Sequence, residues 1–189
     1  MKTLLQSPLV MVVDDVMSAT ECDALVARID GLSPAAAPIT TTLGFEMRPD
    51  LRNNERVIFD DVALAAEVFK RLQPLIPADL CERHGPSLGR AVGLNERFRG
   101  YRYSEDQRFA PHFDGAFVRN ERERSELTVL LYLNEGFLGG ATAICDYDLR
   151  VVPKRGQALL FEHHIRHEGC AVDDGRKYVL RSDVMYQRS

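Results

Sequence analysis

Three residues of the second half have the types and spacing of a metal site. His112 and Asp114 flank Phe113, and on a strand positions i and i+2 point to the same face. His167 stands 55 residues further on, at the start of a later candidate strand. Two histidines and one carboxylate are the donor set of the facial triad on Fe(II), which leaves positions open for a chelating co-substrate and oxygen. An H-x-D tripeptide alone is a weak signal, and a lone histidine is as readily a hydrogen-bonded core residue. The surrounding sequence therefore has to carry the assignment.

The elements that would position these residues follow from periodicity. Val10 to Val13 reads as a strand ended by Asp14-Asp15. Ser18-Ala19-Thr20-Glu21 is a capping-box pattern, and Leu25, Ile29 and Leu32 continue at helical spacing, so a helix is expected over Ser18 to Ile29. An alanine-proline linker, Pro34 to Pro38, and a polar stretch, Thr40 to Asn54, come next. Asp60-Asp61 can cap a second helix over Val62 to Leu72, stopped by Pro74 and Pro77, and Gly85 to Gly93 reads as loop.

From Leu94 the period shortens to 2. Strands are expected over Glu96 to Tyr103, Arg108 to Asp114, Leu127 to Asn134, Thr142 to Asp146, Arg150 to Pro153, Gln157 to Phe161, His167 to Val172 and Lys177 to Tyr186. Short strands after two helices predict an α+β, mainly β chain, a jelly-roll (double-stranded β-helix) core with N-terminal helices packed outside. We expect one domain over 1–189, with 1–93 as helical support and possible substrate lid and 94–189 as the core.

Composition excludes several function classes. The 189 residues are 45% hydrophobic and 28% charged, an ordinary globular balance. With 24 basic against 28 acidic residues the net charge is −4, the wrong sign for a general nucleic-acid binder. No apolar run approaches the roughly 20 residues that span a bilayer, so no membrane partner is expected. Met1 to Val13 lacks the order of a secretory signal, and Cys22, Cys81, Cys145 and Cys170 form no C-x-x-C pair. Reduced thiols in a cytoplasmic protein are the expectation.

The run from Leu94 to Tyr186 resembles the 2-oxoglutarate- and Fe(II)-dependent dioxygenases, in their prolyl 4-hydroxylase-like branch. The resemblance rests on Tyr101-Arg102-Tyr103, Pro111-His112-Phe113-Asp114, Leu131-Tyr132-Leu133-Asn134, Gly139-Gly140-Ala141-Thr142, Val152-Pro153-x-x-Gly156-x-Ala158-Leu159-Leu160-Phe161, His167-Glu168-Gly169 and Gly175-x-Lys177-Tyr178-Val179, in that order. It implies that His112, Asp114 and His167 hold Fe(II) and are the catalytic centre. His163 and His164 compete for the third ligand position, and the His-Glu-Gly context favours His167. His163 and His164 then become loop residues at the mouth of the site, and His84 a surface residue.

The resemblance further implies a 2-oxoglutarate pocket. Lys177, ten residues after His167, matches the basic residue that pairs with the distal carboxylate. Tyr103 matches a phenol that hydrogen-bonds the co-substrate, Thr142 a hydroxyl near its distal end, and Tyr132 offers a second phenol. The implied reaction hydroxylates an unactivated C–H bond, consumes O2 and releases succinate and CO2, with ascorbate as an assay additive. Asp114 argues against a halogenase, in which a small residue replaces that carboxylate.

Departures from the family pattern bear on the substrate. Ala141 replaces a common Glu, and Asp183 stands near a common Trp. Arg181 and Asp183 share the strand face of Lys177 by alternation. Arg181 then contacts either a substrate carboxylate or Asp183. Arg48 to Arg56 is the candidate lid, and Arg52 and Asn53 join Arg181 as candidate substrate residues. Arg119 to Glu126 is a charged loop that could border the entrance. Three functions stay open: hydroxylation of a prolyl or other peptide residue, the same chemistry on a free amino acid or small metabolite, and a non-catalytic cupin-like metal-binding or sensing module.

Overall fold

The computed structural model describes residues 1–6, 8–76 and 89–187. Cys81, His84, Pro77 and the first part of the expected Gly85 to Gly93 loop lie outside them.

The strand Lys177–Gln187 organises the molecule. Its side chains alternate between two cores, as a period of 2 requires. Tyr178, Leu180 and Val184 join one hydrophobic cluster, and Val179 joins the other. The neighbouring strand Glu123–Tyr132 divides in the same way, with Val129 and Leu131 on one side and Leu130 and Tyr132 on the other. Because both faces are covered, these strands are buried along most of their length, charged residues such as Lys177 and Asp183 included.

These two strands sit at the middle of a ten-stranded sheet. Along its path the order is Lys2–Gln6, Leu9–Val13, Ala158–Glu162, Glu123–Tyr132, Lys177–Gln187, Arg97–Tyr103, Glu55–Asp60 and Ala35–Ala36. A four-stranded sheet runs Leu149–Val151, Thr142–Ile144, His167–Gly169 and Phe109–His112. Ile144 and Val151 of the small sheet pack with Tyr101, Tyr103, Leu130 and Val179 of the large one, so the two sheets share a core.

Two helices build the other core. α1 (Ala19–Gly31) begins at Ser18, whose hydroxyl accepts from the Glu21 N–H while Glu21 reaches back to the Ser18 N–H. This is the expected capping box. α2 (Val62–Leu72) has the expected bounds and the Asp61 cap. Cys22, Leu25 and Ile29 of α1 and Ala65, Val68 and Leu72 of α2 pack with Phe98, Leu131 and Leu180. Gly100 lets α1 lie close to the sheet, since a Cβ there would stand 2.6 Å from Ile29 Cγ1.

Residues 1–93 are more than helical support. Leu9–Val13 and Glu55–Asp60 are paired strands of the large sheet. Residues 90–93, expected as loop, belong to the strand Arg90–Leu94, which pairs with the C-terminal half of Lys177–Gln187. These pairings are non-local, and a short segment carries little periodic signal of them. The Pro34 to Asn54 region contains a hairpin of Ile39–Thr41 with Gly44–Glu46. Among the described residues no helix is long and apolar enough to cross a membrane.

Candidate metal centre and its two cavities

Register in the small sheet brings the two histidines together. His167 pairs directly with His112, and their rings lie 4.2 Å apart between centroids. The strand Phe109–His112 stops at His112, two residues short of the expected end, and Asp114 follows it. The Asp114 N–H donates to the His163 carbonyl at 3.2 Å, which holds the segment in place past the strand. One ligand atom from each of His112, Asp114 and His167 falls within 4.8 Å of the others.

Hydrogen bonds choose the tautomers. His112 Nδ1 lies 2.8 Å from the Ala110 carbonyl and His167 Nδ1 lies 3.0 Å from the Ile165 carbonyl. A carbonyl only accepts, so each Nδ1 carries its proton and each Nε2 lone pair is bare. Those Nε2 atoms are the ones that face Asp114, at 3.9 Å from Oδ1 and 3.5 Å from Oδ2. Burial, with some help from His167, pushes His112 down to about 3, and burial lowers His167 as well. Both rings are therefore neutral donors. Burial alone would raise the Asp114 carboxyl, but Arg181 outweighs it and holds Asp114 ionised. Two neutral imidazoles and a carboxylate are the protonation states that a divalent cation needs.

A directional chain of hydrogen bonds supports Asp114. The Thr128 hydroxyl donates to Asp114 Oδ2 at 2.6 Å. It therefore accepts from His163 Nδ1–H at 2.9 Å, which leaves His163 Nε2 to accept from the Ser125 hydroxyl at 2.8 Å. Burial holds His163 neutral, at about 4. This corrects the expectation that His163 is a loop residue at the mouth: the side chain is buried behind the carboxylate. His164 is exposed beside Glu162. His163, weighed as a competing third ligand, instead supports Asp114, and Thr128 was not expected as a site residue, although it shares the strand face of Leu130 and Tyr132.

Two cavities meet at His112 and Asp114. The inner one is lined by His112, Asp114 and His167 together with Tyr103, Thr142, Lys177 and Arg181. Lys177 is only 2% exposed, and its ammonium donates to the Gly140 carbonyl at 2.6 Å. Gly140 has φ +65°, which lets it turn that carbonyl over the lysine. Burial pushes Lys177 down to about 8. Among the described residues no carboxylate lies within ion-pair distance of it, and a buried lysine of that kind calls for an anion. Tyr132 does not line the cavity. Its hydroxyl donates to Thr142 Oγ1 at 2.8 Å and so orients Thr142. The inner cavity measures about 30 Å³, room for about one water. A dicarboxylate enters it only when lining side chains move.

The outer cavity, about 640 Å³, shares His112, Asp114 and Arg181 with the inner one. Arg52, Arg56, Arg99 and Arg181 line it with Tyr101, Phe109 and Phe117. Arg181 and Arg52, expected as substrate residues, are both among these lining residues. Asn53 does not: its amide donates to the Asp106 carbonyl and its oxygen accepts from the Arg108 N–H, so it fastens one loop to another. The expected lid over Arg48 to Arg56 is likewise docked, with Arg52 bridged to Phe109 and the Ala110 N–H donating to the Leu51 carbonyl. Arg119 pairs with Glu96 and Glu123 away from the cavity. Arg56 ends the lid segment expected to offer donors to a substrate, whereas Arg99 and Tyr101 were not anticipated. Arg99 and Tyr101 follow from alternation with Tyr103, whereas Arg56 is brought in only by cross-strand pairing with Tyr101.

Residues 98–182 match the 2OG-Fe(II) oxygenase superfamily. Solved structures share the fold. A viral collagen prolyl hydroxylase from Paramecium bursaria Chlorella virus-1, determined as its 2OG complex, is 20% identical with a TM-score of 0.61, over 93% of this chain and 95% of that one. A prolyl hydroxylase from Trichoplax adhaerens, bound to a hypoxia inducible factor oxygen degradation domain peptide, is 16% identical with a TM-score of 0.63, over 95% and 84%. HygX from Streptomyces hygroscopicus, bound to nickel, 2-oxoglutarate and hygromycin B, is 14% identical with a TM-score of 0.52, over 94% and 82%. No curated protein matches the chain.

Proposed function

We propose that this chain, whose residues 98–182 match the 2OG-Fe(II) oxygenase superfamily, hydroxylates an unactivated C–H bond with release of succinate and CO2. The observation that carries this reading is the convergence of His112, Asp114 and His167 beside a cavity that ends on buried Lys177. We read the two facing sheets as the double-stranded β-helix of that class, in a single domain. The oxygenase match disfavours a non-catalytic cupin-like module.

In this reading His112 and His167, through Nε2, and Asp114, through its carboxylate, hold Fe(II). The donor set fits: two neutral nitrogens and one oxygen suit a divalent iron. Iron with 2-oxoglutarate and O2 supplies the oxidising chemistry when bound. The chain binds, orients and shields. Lys177 pairs with the distal carboxylate of the co-substrate, and Thr142, oriented by Tyr132, donates beside it. Tyr103 closes the apolar wall and offers its phenol. The Ser125–His163–Thr128 chain keeps Asp114 in one orientation. Arg181 neutralises Asp114 until a cation is there to share it.

The substrate is a prolyl or other peptide residue in one version and a free amino acid or small metabolite in the other. The fold is shared by structures of both kinds, one holding a peptide and one holding hygromycin B. The test is succinate release from 2-oxoglutarate with Fe(II) and ascorbate, with chelation as control. Succinate that depends on both is expected. No succinate and no 2-oxoglutarate binding to the Fe(II)-loaded chain would overturn the proposal.

A further inference from the structure

The outer cavity has an unusual charge balance. Four arginines line it, and among its lining residues the sole carboxylate is Asp114. Arg99 and Arg181 are directly opposite each other on paired strands, an arrangement that like charges disfavour. Asp183 resolves it from behind, with Oδ2 3.2 Å from Arg99 and Oδ1 2.9 Å from Arg181. Arg181 also reaches Asp114 at 3.0 Å. These two acids are consumed by these two cations. Arg52 and Arg56 remain, and among the described residues neither has a carboxylate within ion-pair distance.

Arg52 is held as a fixed donor. It is 5% exposed, its guanidinium lies 4.8 Å from the Tyr101 ring and 4.2 Å from the Phe109 ring, and its Nε donates to Asn54 Oδ1 at 2.8 Å. Its Nη1 reaches the Pro38 carbonyl at 3.4 Å. Its Nη2 is buried with no hydrogen-bond partner. A buried guanidinium nitrogen without an acceptor is costly unless a ligand supplies one. Arg56 stands across the strand pair from Tyr101. Burial, together with the nearby Arg52, Arg99 and Arg181, holds it below the usual arginine value. A cation pressed among cations is relieved by an anion.

Resting on the oxygenase reading, we propose that the substrate carries an anionic group, a carboxylate or a phosphate, which Arg52 and Arg56 bind in the outer cavity so that a C–H bond on its apolar part faces His112 and Asp114. Phe109, Phe117 and Leu51 supply the apolar wall. A planar guanidinium pairs bidentately with either anion, and it cannot do so with the amide of an internal peptide residue. The chemistry therefore favours a small acid over an internal prolyl residue.

The test uses the full chain loaded with Ni(II) and saturating 2-oxoglutarate. The probes are N-acetyl amino acids, each as the free acid and as the carboxamide, inorganic phosphate, and an end-blocked prolyl peptide. Binding is read by calorimetry and by Tm. We expect a free acid or phosphate to bind at least tenfold more tightly than its neutral counterpart, and the acids and phosphate separate the two anion sources. Arg56→Gln should weaken that binding at least tenfold, and Arg56→Lys should restore part of it. Binding of the carboxamide or blocked peptide as tight as that of the acid, or binding of no anionic probe, would overturn the proposal. A chain that binds 2-oxoglutarate but no anionic probe loses this inference alone, whereas one that binds no 2-oxoglutarate loses the proposed function.

Discussion

One guanidinium nitrogen of Arg181 lies 3.0 Å from Asp114 Oδ1, and the other lies 2.9 Å from Asp183 Oδ1. A single cation thus stands between a candidate metal ligand and a second buried acid. Burial would lower Arg181, but Asp114 and Asp183 together keep it firmly charged.

Arg181→Leu should therefore destabilise the metal-free chain by about 3–5 kcal/mol, since it leaves buried Asp114 without its cation and Asp183 with Arg99 alone. Urea unfolding measures this. The loss should shrink when Ni(II) is added, because the metal replaces the lost charge at Asp114. A loss that is the same with and without metal would mean that Arg181 acts on packing alone.

His112→Ala and Asp114→Ala should each lose bound metal and Fe(II)-dependent succinate release together. Metal content after gel filtration and the succinate assay check the two separately. Full retention of metal by either variant would count against the ligand set.

Thr128→Val removes the hydroxyl that donates to Asp114 and accepts from His163. Hydrogen bonds that orient a ligand typically contribute 10–100-fold to metal affinity, so affinity should fall by about that factor. Competition against a chelator reads it. Retained affinity would show that Asp114 keeps its orientation without Thr128.

Lys177→Met should raise the 2-oxoglutarate KM by about 10- to 150-fold, the equivalent of a charged hydrogen bond of about 1.5–3 kcal/mol. Unchanged kinetics would remove Lys177 from the co-substrate pocket.

The pH dependence of co-substrate binding has a definite sign. Burial lowers Lys177 to about 8 in the folded chain, against about 10.4 for an unfolded lysine. Between these values the unfolded chain binds the extra proton, so this group's contribution to stability rises with pH across that window, and its full unfavourable effect is felt below 8. The co-substrate carboxylate needs the ammonium. Affinity should be full below pH 8 and fall as pH rises through it, with proton uptake on binding. Calorimetry in buffers of different ionisation enthalpy detects that proton. Affinity that is flat from pH 7 to about pH 9.5 would contradict the assignment.

The capping box at Ser18 and Glu21 and the bounds of α2 were legible because each depends on residues within one or two turns. The strand Glu55–Asp60 was not, since its partner Arg97–Tyr103 lies some forty residues on and the pairing leaves no local signature. The Arg90–Leu94 strand was missed for the same reason.

The sequence by itself determined the donors: His112, Asp114, His167 and Lys177 have the types, order and spacing of one chemistry, and alternation along Lys177–Gln187 places Arg181 and Asp183 on the same face. Tertiary structure alone decided what those groups touch. Cross-strand register set Arg99 opposite Arg181 and made Asp183 their shared acid. The approach of Glu162 and His163 to Glu126 and Thr128 turned a histidine expected at the mouth into a support for Asp114. The reason is physical. A side chain's direction is a local property of the strand, but its partner is chosen by which distant strand lies beside it.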